Sequence, residues 1–327
     1  MTFLRVGARR VDGSASEQTT LEQLTPVDPV LVEPPVIRGQ SLGERQRRTH
    51  LGDNGSRAYV LYVPPGLGAG PVPLVVMLHG GTQTAADFAV GTDMDCLADH
   101  YGFVVVYPEQ SREANPGGYW NWFRPQDQQA GRGEPAIIAG IVAEVMAELP
   151  IDAGAVFAAG LSAGGAMSVV LAATRPDVFA AVGVHSGVGY RAAGDAGSAF
   201  GVLQSGGDPD PHGTVPMIVF HGTRDTAVAA VNADQTVRAA LTGGSADLQE
   251  SILVVPAEDG RRGYTRTVHR DAASRAMVES WLVDGGGHAW FGGQPAGSFT
   301  DPNGPDASVE MIRFFLNHRG RARPPRA

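Results

Sequence analysis

Two hydrophobic rhythms alternate along the chain. Short continuous apolar runs occur at residues 74–79 (LVVMLH), 103–107 (FVVVY), 155–160 (AVFAAG), 180–185 (AAVGVH) and 217–221 (MIVFH). Runs of that length suit strands covered on both faces. Longer segments at 85–100, 135–149, 163–174, 227–241 and 307–318 read as helices. Pro135 lies in the first turn of the second and Pro150 closes it, while Ile312, Phe315 and Leu316 share the apolar side of the last. Residues 45–51 and 57–63 flank Asp53-Asn54-Gly55, a strong hairpin signal. Three more strands are expected at 252–255, 264–269 and 277–283, the last two joined by a turn around 271–274.

Strands alternating with helices predict an α/β fold. The sheet should be mostly parallel, with helices on both faces and the N-terminal hairpin adding antiparallel strands at one edge. Residues 45–320 read as one catalytic-sized domain. Residues 1–44 are polar and carry Pro26, Pro29, Pro34 and Pro35, so they read as an arm or tail, and 321–327 as a C-terminal tail. An arm that packs on a second subunit would make the protein a homo-oligomer.

Composition narrows the function. The chain has 327 residues, 43% hydrophobic, and its Lys+Arg 25 against Asp+Glu 34 leaves a net charge of −9. Acidity without a Lys/Arg cluster argues against nucleic acid as a partner. No apolar run approaches the roughly 18 residues of a membrane span. A single cysteine, Cys96, excludes an internal disulfide and a Cys-rich metal site. Arg5, Arg9 and Arg10 are followed by no apolar segment of the signal-peptide type. A cytoplasmic setting is therefore expected, with secretion as the alternative.

Gly160-Leu161-Ser162-Ala163-Gly164 is a G-x-S-x-G, weak alone in a chain with 44 glycines. Its context strengthens it: an apolar strand runs into Ser162 and a small-residue helix leaves it, as a strained strand-to-helix elbow requires. The bland reading is a β–α turn with a capping serine. A nucleophilic serine needs a base, and the base an orienting acid. Among later acids, Asp225 sits just past a buried strand, whereas Asp208 and Asp210 lie in a Gly/Pro loop and Asp271 at a hairpin tip. Of nine histidines, His288 follows the last strand in a glycine-rich loop, Gly285-Gly286-Gly287. Ser162, Asp225 and His288 form the candidate triad. Two N–H donors are needed for an oxyanion. Ala163 should give one and Gly81 the other, with Thr82 second in line. Trp120, Trp122 and Trp290 are either core or the walls of a substrate pocket, where Thr82 would also stand. No metal-ligand spacing and no phosphate loop is present, so no cofactor is expected.

Taken together, RAYVLYVP, LHGGTQTAADFAVGTDMDCLA, VVYPEQSREANPGGYWNWF, GEPAIIAGI, AGLSAGGAM, GVHSG, FHGTRDTAV, GGGHAWFGG and GSFTDPNGPDAS run from about Arg57 to Leu316. They resemble the polyhydroxybutyrate depolymerase-like esterases, which are similar to feruloyl and acetylxylan esterases. The resemblance implies an α/β-hydrolase fold, the triad above, and a serine carboxylesterase acting through an acyl-enzyme. Its substrates would be hydroxyalkanoate oligomers or aryl and acetyl esters. A peptidase, a thioesterase or a non-catalytic binding protein on the same scaffold are the alternatives. The family commonly has Cys where Gly81 and Tyr119 stand, and losing both fits a reducing compartment. Its polymer-degrading members often carry a signal peptide, a linker and a binding domain. None is visible here, so soluble esters are expected rather than solid polymer.

Overall fold

The computed structural model describes residues 41–320 except 69, 214, 245 and 246. The tail at 321–327 and nearly all of the expected arm lie outside the described residues. The chain opens with β1 (Glu44–Gly52) and β2 (Gly55–Val63), paired antiparallel with Gly52 opposite Gly55 across Asp53-Asn54. Next come β3 (Val72–Leu78), α1 (Ala85–Thr92), α2 (Met94–Tyr101), β4 (Val104–Pro108) and α3 (Gly133–Glu148). They lead into β5 (Ile151–Leu161), α4 (Ala163–Thr174), β6 (Ala181–His185) and α5 (Ala196–Ser205). The second half continues with β7 (Met217–Gly222), α6 (Val231–Thr242), β8 (Gln249–Val255), β9 (Tyr264–Arg270) and β10 (Ala276–Val283). Two short strands, β11 (Trp290–Phe291) and β12 (Thr300–Asp301), and the helix α7 (Ala307–Leu316) close it.

Among the described residues ten strands form one sheet, in the order β1-β2-β4-β3-β5-β6-β7-β10-β9-β8. From β4 to β10 every pair is parallel. Alternation along the strands feeds two cores. On β3, Leu74, Val76 and Leu78 face the layer of α3, α4 and α6, while Val75 and Met77 face α1, α2 and α7. The carboxyl ends of β3, β5, β7 and β10 thus share one edge of a rigid platform, where open α/β sheets place ligands.

The helices differ from the expected pattern in three places. Residues 85–100 form two helices, because Asp93 takes a left-handed φ of 52° and breaks the run. The helix expected from 227 starts at Val231, since residues 227–228 are bound in a turn by Asp225. A further helix, α5, fills 196–205, fixed by a reciprocal Asp195/Ser198 capping box. The far edge is antiparallel too: β9 pairs with β10 across the hairpin tip expected at Asp271, and β8 pairs with β9.

Candidate active site

Ser162 stands between β5 and α4 with φ 56° and ψ −118°, a conformation rare for a residue with a side chain. Its N–H donates to the His185 carbonyl (2.8 Å) and its own carbonyl accepts from Ala166 (2.9 Å). The flanking glycines are a packing necessity. A Cβ on Gly164 would lie 2.0 Å from the Leu78 carbonyl oxygen, and one on Gly160 2.4 Å from the Gly164 carbonyl carbon. Leu161 and Ala163 are buried, but Ser162 keeps partial access to solvent.

Three residues beyond β7, Asp225 turns a fully buried carboxylate to His288. Its Oδ1 accepts from the N–H groups of Ala227 (2.9 Å) and Val228 (2.8 Å). Its Oδ2 lies 2.7 Å from His288 Nδ1. Burial pushes the carboxyl upward, but the hydrogen bond and charge of His288 and the Val228 N–H outweigh it and hold the group below the usual carboxylate range. An acceptor at Oδ2 assigns the hydrogen to Nδ1 and leaves Nε2 of His288 able to take a proton. His221 lies 3.5 Å from the same Oδ2. Its Nε2–H is already given to the Val228 carbonyl (2.8 Å), and burial lowers its pKa, so it stays neutral.

The loop bearing His288 is tied to that of Asp225: Arg224 N–H donates to the Gly286 carbonyl (2.9 Å) and Gly285 N–H to Thr223 Oγ1 (2.8 Å). The structure therefore joins Asp225 to His288 directly. Ser162 and His288 share no hydrogen bond; His185, at the end of β6, contacts the segments of both. Its carbonyl holds Ser162, its Nε2 accepts from Phe291 N–H (3.1 Å), and its ring stacks on Trp290 at 5.0 Å. Burial drives its pKa well below the ordinary value. His185 read in the sequence only as a strand-end histidine.

The residues expected to supply the oxyanion donors lie at the start of α4 and just past β3. Ala163 opens α4, so its N–H has no acceptor within the helix. Gly81 follows β3 in a loop whose backbone is pinned on both sides. His79 accepts from Gln110 N–H at Nε2 (3.0 Å), so its Nδ1–H donates to the Gly80 carbonyl (2.7 Å). Gly80 N–H donates to Gln83 Oε1 (2.9 Å). Thr82, left-handed at φ 67°, spends its N–H on the Gly117 carbonyl (3.3 Å), which leaves Gly81 as the better donor. The Thr82 side chain is exposed beside it.

Of the two readings open for the tryptophans, core or pocket wall, their burial fits the core. Trp120 is 0% exposed and its Nε1–H donates to the His79 carbonyl (3.1 Å). Trp122 is buried against Phe123. Trp290 is 1% exposed, packs edge-on to Phe88 and donates to Ser308 Oγ (2.9 Å). Trp120 thus bonds the start of the Gly81 loop, and Trp290 stacks on His185. A buried network holds the Trp120 loop. The Glu134 carboxylate accepts from Asn121 N–H (2.7 Å), Asn121 Nδ2 (2.8 Å) and Gln110 Nε2, with the buried Arg57 guanidinium 3.8 Å away. Among the described residues, the exposed aromatics beside Gly81 and His288 are Tyr119 and Phe299. Neither was nominated from the sequence as a pocket residue. Among the described residues no group of three or more His, Cys, Asp or Glu side chains is placed to hold a metal ion.

A mostly parallel sheet layered by helices, with a serine elbow at the end of a central strand, is the α/β-hydrolase fold. The solved acetyl xylan esterase from Aspergillus awamori shares it, with a TM-score of 0.66 at 22% identity over 84% of this chain and 100% of that one. At the level of sequence, the Esterase PHB depolymerase family matches residues 57–247, and the chain belongs to that family. Poly(3-hydroxyalkanoate) depolymerase C of Paucimonas lemoignei is 31% identical over 242 residues, 69% of this chain and 57% of its own length. Feruloyl esterase B of Neurospora crassa is 36% identical over 133 residues, 39% of this chain and 43% of its own length. The chain thus spans about half the length of these relatives. No helix among the described residues is long and apolar enough to cross a membrane.

Proposed function

We propose that the protein is a serine carboxylesterase using Ser162, His288 and Asp225. The observation that carries the reading is the 2.7 Å bond from His288 Nδ1 to a buried Asp225, past the ends of β7 and β10 on the same sheet edge as the Ser162 elbow. His288 Nε2 takes the Ser162 hydroxyl proton as Oγ attacks the ester carbonyl carbon. The negative charge moves to the carbonyl oxygen, where the Gly81 and Ala163 N–H groups stabilise it. Collapse breaks the bond to the alcohol oxygen, which receives the proton from His288. Water then repeats the sequence on the acyl-enzyme and releases the acid. Asp225 fixes the tautomer and stabilises the imidazolium throughout.

The substrates are soluble esters, hydroxyalkanoate oligomers or aryl and acetyl esters, in keeping with the named relatives on both sides of the family. A chain whose one cysteine, Cys96, is buried suits a reducing compartment. Ser162→Ala is expected to abolish turnover of nitrophenyl acetate while circular dichroism and melting temperature stay near wild type. Turnover of the purified variant within about tenfold of wild type would remove Ser162 from the mechanism, since loss of a triad nucleophile costs orders of magnitude more.

A further inference from the structure

With the tryptophans in the core, two half-exposed aromatic rings remain beside the reacting groups: Tyr119 is 43% exposed and Phe299 46%. Both are held in place. The Tyr119 ring is wedged between two glycines: a Cβ on Gly81 would lie 2.0 Å from its Cε1, and one on Gly117 2.5 Å from its Cε2. Its carbonyl accepts from Gln110 Nε2 (2.8 Å), part of the Glu134 network. The ring therefore lies against Gly81, the residue proposed to stabilise the oxyanion.

Phe299 has a left-handed φ of 52°, a conformation that bulky residues keep only where the surroundings impose it. Its carbonyl accepts from Trp290 N–H (2.7 Å). The preceding residue is clamped: Ser298 N–H donates to Asp87 Oδ1 (3.0 Å), and Gln83 Nε2 donates to the Ser298 carbonyl (3.1 Å). The same Gln83 accepts from Gly80, which fastens the Phe299 loop to that of Gly81, and Thr82 N–H (3.3 Å to the Gly117 carbonyl) ties that loop in turn to the one carrying Tyr119. The Phe299 ring stands edge-on to His288, with centroids 6.4 Å apart at 78°.

We propose that Tyr119 and Phe299 set the specificity of the site for esters bearing flat apolar or aromatic groups, Tyr119 on the acyl side and Phe299 on the alcohol side. The inference rests on the serine-esterase reading. His288 delivers its proton to the departing oxygen, so the alcohol leaves past Phe299. The carbonyl oxygen sits on Gly81, so the acyl substituent beside it meets Tyr119. Rings already immobilised lose little freedom when a substrate stacks on them, which is what a recognition surface needs.

The test compares kcat/KM within matched pairs. Methyl 3-phenylpropionate against methyl acetate varies the acyl group; benzyl acetate against ethyl acetate varies the alcohol. Tyr119→Ala should lower the first ratio by roughly three- to tenfold, the scale of an aromatic face contact. Tyr119→Phe should preserve it, because the face and not the hydroxyl is used. Phe299→Asn, which tolerates the left-handed backbone, should lower the second ratio similarly and leave the first within about twofold. Equal losses on all four esters would assign the rings a purely structural role and overturn the proposal, as would ratios that neither variant moves. Ratios that shift in the crossed sense would overturn the assignment of sides. Fluorophosphonate labelling of Ser162 accompanies each variant. A wild type that is neither labelled nor active on any ester would sink the serine-esterase reading, and the proposal with it.

Discussion

Asp225 divides its carboxylate between two tasks: Oδ1 closes the turn to Ala227 and Val228, and Oδ2 orients His288. Asp225→Asn can keep the turn with its amide oxygen, but its NH₂ then faces Nδ1 and favours the wrong tautomer. The amide also lacks the charge that stabilises imidazolium. In the serine-protease template this change costs on the order of 10⁴ in kcat. A similar fall is expected here, with little change in melting temperature, while Asp208→Asn and Asp271→Asn keep kcat. A crippled Asp208→Asn beside an active Asp225→Asn would move the acid elsewhere. The pairing of Asp225 with His288 was legible in the sequence because each follows an apolar strand at the length of a strand-end loop. Phe299 was not legible: an aromatic in a glycine-rich loop carries no periodicity, and only its distance to His288 marks it. The tryptophans were visible but ambiguous, since composition cannot tell a ring that walls a pocket from one that supports the loop beneath it.

Elements are where tertiary contacts overrule local pattern. The break between α1 and α2 has no glycine or proline at Asp93; the carboxylate there accepts from Gln294 Nε2 (2.8 Å), two hundred residues away. The late start of α6 is a local effect instead: Asp225 holds the N–H groups of Ala227 and Val228 in a turn ahead of the helix. The elbow was readable in full, since a strand, G-x-S-x-G and a small-residue helix admit few geometries. It also sets a prediction. Gly164→Ala places a methyl 2.0 Å from a backbone oxygen of β3, which no side-chain rotation relieves. The cost should reach or exceed the roughly 1–3 kcal/mol of core overpacking. Thermal unfolding should show a clearly lower melting temperature together with weakened turnover. A wild-type melting curve would contradict the packing described at the elbow.

At the scale of the molecule, the parallel sheet gathers Gly81, Ser162, Asp225 and His288 from segments spread over more than two hundred residues onto one edge, and buried histidines such as His185 lock those segments together. That has a signature in pH. His185 accepts a backbone N–H at Nε2 and is driven well below the ordinary histidine value of 6.5 by burial. The unfolded chain binds a proton there below about pH 6.5 and the native state does not, so stability is fully present above that pH and falls as pH is lowered. One such group gives a slope of up to about 1.4 kcal/mol per pH unit. The buried carboxyls of Asp95, Asp127 and Glu134 are raised by burial and act in the opposite sense, so the comparison is by difference. Denaturant unfolding between pH 7.5 and 5.5 should show a larger loss of stability for wild type than for His185→Gln, and equal slopes would contradict a neutral His185. In the proposed mechanism Ser162, activated by His288, forms a covalent acyl intermediate. The most direct test of this step is intact-protein mass spectrometry after reaction with a fluorophosphonate, followed by peptide mapping. The account predicts one adduct per chain, on Ser162, lost in Ser162→Ala and strongly slowed in His288→Ala. An adduct on another residue, or ester turnover by a wild type that takes up no label, would contradict it.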